Sequence, residues 1–129
     1  MQTAVVTDQG ELIAAQVRVA NTFMSRCVGL LNMSRIDEGQ GLWLEPGGSI
    51  HTFAMRFPID VLFLDGEGRV LLYRHAVKPW RIALAPRRTR YVLELAAGRI
   101  RKLQRSASKV SLHHNRSGGL PCRARIHEQ

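Results

Sequence analysis

Short runs of apolar and β-branched residues, separated by glycine, proline and aspartate, predict short strands punctuated by turns. "TAVVTD" and "LIAAQVRVA" read as two strands joined at "DQGE", with Val17 and Val19 flanking Arg18 as in a half-buried strand. The period then changes. In "NTFMSRCVGLLN" Phe23, Cys27, Leu30 and Leu31 recur at helical spacing, Asn21 or Thr22 can cap the start, and Asn32 can close the end. "MSRIDEGQG" reads as a loop, "LWLEPGG" as a brief strand and "SIHTFAM" as strand-like. "IDVLFLD", a turn at "GEG" and "RVLLYRHAV" form a predicted hairpin over 59–77. "KPWRIALAPRRTR" is a polar connection broken by two prolines. "YVLELAA" is a further strand, Gly98 opens a short helix over "RIRKL", and "KVSLHH" has the pattern of one last edge strand.

Seven or eight short strands and one main helix make this an α+β chain, mostly β. Connections too short for helical crossovers predict a small, curled, mainly antiparallel sheet or partly open barrel, with the helix packed on it. Residues 1–103 are expected to form a single compact domain. Residues 104–129 contain few large apolar side chains and read as the edge strand followed by a basic tail.

Composition narrows the class. The 129 residues are 45% hydrophobic, enough for one real core. No run is long and apolar enough to span a membrane. The N-terminal stretch lacks a basic start and apolar core, so the cytoplasm is the expected location. Two cysteines, Cys27 and Cys122, have neither metal-binding nor redox spacing. The net charge of +9 invites a nucleic-acid reading, but residues 99–129 account for +7 of it and residues 1–98 for only +2. Nucleic acid or another acidic partner could thus bind through the tail, which is not the favoured reading.

The stretch with the densest chemistry is "SIHTFAMRFPID", residues 49–60. It follows Arg26, Gly29-Leu30-Leu31 and Gly41-Leu42, and precedes Phe63-Leu64-Asp65 and the closing Leu93-Glu94-Leu95-Ala96-Ala97-Gly98. In this order and spacing, over roughly residues 15–103, the chain resembles the domain-of-unknown-function 192 family, also called uncharacterised protein family 0127. The resemblance implies a compact, mostly β domain of no established activity, and it hands over no catalytic residues. Two features depart from the family pattern. Pro46-Gly47 stands where related sequences often carry Pro-Cys, and the segment after the Ala-Gly helix does not match the usual ending.

The residues themselves suggest a binding site more than a reaction. His51, Thr52, Arg56 and Asp60 lie within one apolar stretch, and Trp80 stands between cations in the 78–90 connection. Strand alternation puts His51 with Phe53 and Met55. Asp60, after Pro58, can hold backbone N–H groups or Arg56 and fix a bend, or pair with His51 as an acid–base couple. His51, Asp60, His75 and Glu94 have no ligand spacing, so no metal is implied. No cofactor fingerprint or nucleophile elbow is present, and no catalytic residue is assigned. The expected function is a non-enzymatic module for a small polar ligand or a peptide.

Overall fold

The computed structural model of the chain describes residues 2–7, 12–21, 29–31, 33–102 and 110–114. Seven strands form one sheet: β1 (Gln2–Thr7), β2 (Leu12–Ala20), β3 (Gln40–Leu44), β5 (Ile59–Leu64), β6 (Val70–Val77), β8 (Tyr91–Ala96) and β9 (Val110–His114). Their order across the sheet is β6-β5-β8-β3-β2-β1-β9. Two short strands, β4 (Ile50–His51) and β7 (Ile82–Ala83), form a separate antiparallel pair. A single helical turn, α1 (Arg99–Lys102), follows β8.

The sheet is mainly antiparallel, as expected, but one parallel pairing makes it mixed. β2 and β3 run parallel, with Val17 opposite Gly41 and Val19 opposite Trp43. Parallel neighbours need a crossover, and the long 21–39 connection supplies the length. The expected helix over 21–32 falls largely outside the described residues. The sheet also curls without closing into a barrel. The N–H of Val110 in β9 donates to the carbonyl of Gly68 in the β5–β6 turn at 2.8 Å, although β6 and β9 are opposite edges.

Two apolar clusters lie on the two faces of the sheet. Ile13, Val17, Trp43, Leu62, Leu64, Leu93, Leu95 and Val110 fill the inside of the curl, with Ile100 of α1 above them. The other face carries Leu42, Leu44, Ile59, Val61, Phe63 and Val92, covered by Leu30, Met55 and Ala83. β5 and β8 lie between neighbours and are covered on both faces, so every residue of β5 is buried. That burial explains its apolar run, interrupted only by Asp60. Each wholly buried Leu, Ile or Phe here contributes about 2 kcal/mol relative to exposure.

Candidate functional site

"SIHTFAM" makes only two strand residues. The chain turns after His51: Met55 N–H donates back to the Thr52 carbonyl, and Ala54 adopts a positive φ of 63°. The turn breaks the alternation read from the sequence. His51 and Phe53 face solvent, while Met55 joins the core.

Thr52 is wholly buried and organises this region. Its hydroxyl donates to the Lys78 carbonyl at 2.6 Å and accepts the Arg81 N–H at 2.9 Å. Its own N–H donates to the Arg81 carbonyl, and its carbonyl accepts the Trp80 N–H. One residue thereby fastens the 78–81 loop to the turn after β4. Trp80 is held there at a φ of 64° with 64% of its surface exposed. Its ring stacks on Phe53 at 5.9 Å, and Phe53 meets His51 at 5.1 Å. Ile82, the strand partner of His51, and Leu84 are also exposed. The result is an apolar ledge on the outer side of the β4–β7 pair. His51 Nδ1 accepts the Phe53 N–H at 3.3 Å, so the neutral ring carries its hydrogen on Nε2. Arg56 is exposed and has no ion-pair partner among the described residues.

Asp60 lies elsewhere. It is wholly buried, and its neighbour across the strands is Leu95 of the curl's interior. Oδ1 accepts the Ala76 N–H at 2.8 Å and stands 3.2 Å from His75 Nδ1. Oδ2 accepts the Tyr73 hydroxyl at 3.0 Å and the Gly98 N–H at 3.1 Å. Thus Asp60 fixes backbone N–H groups, as one sequence reading expects, but binds neither Arg56 nor His51. β4 and β5 belong to different sheets, and the acid–base pairing of His51 with Asp60 is not formed. The histidine beside Asp60 is His75, brought there by a slip in the register of the predicted hairpin that sequence spacing does not reveal. Burial, the hydrogen bond to Asp60 and its charge raise the Tyr73 pKa well above the ordinary phenol value; Arg101 opposes the rise. An open depression of about 460 Å³ lies beside this cluster, lined by His75, Ala76, Ala97, Gly98 and Arg101.

A second acid is buried in mid-sheet. Glu94 of β8 lies between Leu42 and Val61 of the neighbouring strands. It is 6% exposed, and burial pushes its carboxyl up to about 7. Among the described residues no three His, Cys, Asp or Glu side chains are grouped so as to hold a metal ion.

The comparisons with known proteins agree with this architecture. The chain is 31% identical over 100 residues to the UPF0127 protein TK1120 of Thermococcus kodakarensis, covering 74% of this chain and 63% of that protein. It therefore spans a little under two thirds of that relative's length. It is 40% identical over 82 residues to the UPF0127 protein PH1112 of Pyrococcus horikoshii, covering 61% and 70%. The fold matches a crystal structure of a protein of unknown function from Novosphingobium aromaticivorans, with a TM-score of 0.73 at 19% identity over 86% of this chain and 84% of the other. It also matches one from Sinorhizobium meliloti, described only provisionally as a transcription regulator, with a TM-score of 0.71 at 22% identity over 85% and 91%. At those identities the likeness concerns the fold alone. Residues 4–111 match DUF192, Uncharacterized ACR, and with the UPF0127 relatives this places the chain in that uncharacterised family.

Proposed function

We propose that the chain is a non-enzymatic binding module whose ledge of His51, Phe53, Trp80 and Ile82 receives a peptide segment with an apolar side chain and acidic neighbours. The carrying observation is Trp80. A large apolar ring with positive φ is costly to hold in solvent, and here four hydrogen bonds of Thr52 hold its loop in place. Aromatic side chains presented rigidly give contact area with little entropy to lose. The charge of the surroundings favours an acidic partner: residues 78–90 carry five cations and no acid. In this reading Thr52 positions the site, and Arg56, exposed in the same segment, adds a cation. Asp60 shapes the domain from the opposite face.

The test is selection from a random-peptide display library on the intact protein. Selected peptides should be acidic around an apolar residue, and Trp80→Ala or Phe53→Ala should weaken them by about tenfold or more. Equal binding by both variants would remove the ledge from the interaction. A labelled oligothymidine is the counter-probe, since aromatic rings among cations also suit single strands. Binding tighter than that of the selected peptides would overturn the peptide reading.

A further inference from the structure

The Asp60 cluster faces away from the ledge and contains a device that the peptide reading does not use. Opposite Asp60 the pairing of β5 with β6 slips: Ile59 faces Val77, yet Val61 faces Arg74. β6 thus carries one extra residue at His75–Ala76, a β-bulge. Ala76 takes a φ of 48° there, a conformation that favours glycine. Asp60 stabilises it by accepting the Ala76 N–H. The bulge turns His75 toward Asp60 and Tyr73, although it stands on an edge strand. Tyr73 gives its hydroxyl hydrogen to Asp60, so its oxygen is an acceptor for His75 Nδ1 at 3.0 Å. With Asp60 Oδ1 at 3.2 Å from the same nitrogen, Nδ1 carries hydrogen and faces two acceptors. Nε2 has no partner among the described residues. The side chain keeps 34% of its surface exposed and lines the depression that Arg101 also lines.

We infer that this depression binds a small oxyanion, a carboxylate or a phosphate group, with Arg101 as its charge partner and His75 Nε2 as its hydrogen-bonding partner. Arginine presents a planar fork suited to either anion. Nε2 pairs with a ligand O–H or O⁻ according to which atom holds the proton. Asp60 and Tyr73 are positioning residues: they fix the tautomer and the ring plane but do not reach the ligand. Ala76, Ala97 and Gly98 complete the lining. Asp60 satisfies four neighbours at once, so the buried carboxylate is compensated without any ligand, and the site is preformed.

Inorganic phosphate and acetate, titrated separately into isotope-labelled intact protein, test this by NMR. Saturable shifts at His75 Nε2 and at the Ala97 and Gly98 amides are expected, with Trp80 unmoved. Arg101→Met and His75→Gln should each weaken binding about tenfold, while Arg87→Met in the basic loop should leave it unchanged. Arg101 makes no hydrogen bond among the described residues, so its replacement carries the test even if His75→Gln disturbs the bulge. Tighter phosphate identifies a phosphate site, and acetate of equal or greater affinity a carboxylate site. Shifts that never saturate, or an equal loss in Arg87→Met, would overturn the inference and leave the peptide ledge untouched.

Discussion

Glu94 is a residue whose ionisation couples directly to stability. A carboxyl raised from the ordinary 4.5 to about 7 binds a proton in the folded protein that the unfolded chain has already released. Folding stability therefore falls as pH rises from about 4.5 to about 7, and levels above that. The shift corresponds to roughly 3 kcal/mol across this window. Chemical denaturation at several pH values should show the decline in the wild type and a much flatter profile in Glu94→Gln. An unchanged slope in the variant would assign the effect to other groups. The same residue shows how much chemistry the sequence discloses. "YVLELAA" reveals an acid in an apolar strand, but not that neighbours cover both faces of that strand. Likewise His51, Phe53 and Trp80 can be picked out as unusual residues. Their stacking depends on a turn and on a loop 26 or more positions away, which no local pattern encodes.

Among the elements, the β4–β7 pair is the shortest and the most dependent on a side chain. Thr52→Val keeps the shape of the side chain and removes its hydroxyl, leaving the Arg81 N–H and the Lys78 carbonyl without that partner. A loss of about 2 kcal/mol is expected in denaturant unfolding, with greater mobility of Trp80 in fluorescence anisotropy. Thr52→Ser, which retains the hydroxyl, should keep the anisotropy close to the wild-type value. The β5–β6 hairpin was legible because its two strands are consecutive and its turn carries glycines and an aspartate. Asp65 Oδ1 accepts the N–H groups of Glu67 and Arg69 there. The β2–β3 pairing was not legible, because parallel register depends on the path of a long connection. Two-residue strands such as β7 are too short for alternation to register, so the 78–90 segment reads as plain connection.

At the scale of the whole molecule, the corner between Gly68 and Val110 ties the two ends of the sheet together. Gly68 has a φ of 85°, and a Cβ there would stand 2.3 Å from the Val110 carbonyl oxygen. Gly68→Ala should destabilise the protein by about 2 kcal/mol or more and speed hydrogen exchange at the Val110 amide. Exchange at β3 and β8 should change least from its wild-type rate, since those strands lie furthest from the edges of the sheet. Curvature of this kind follows from twist accumulated over seven strands, so the sequence suggests a curled sheet without stating where its edges meet.

The strand order also constrains how the molecule is assembled in time. β8 lies between β5 and β3, yet it follows both in the chain. Before Tyr91–Ala96 is available, the β5–β6 hairpin and the β1–β2–β3 group present unpaired inner edges to each other across a gap one strand wide. These two halves hold Phe63, Val61, Leu42 and Trp43, which in the finished sheet are wholly or almost wholly covered. A nascent or truncated chain ending before β8 thus displays two apolar strand edges suited to pairing with other chains. Arrival of β8 closes both inner edges in one step, so it acts as a keystone, after which β9 has only to add at the outer edge of β1.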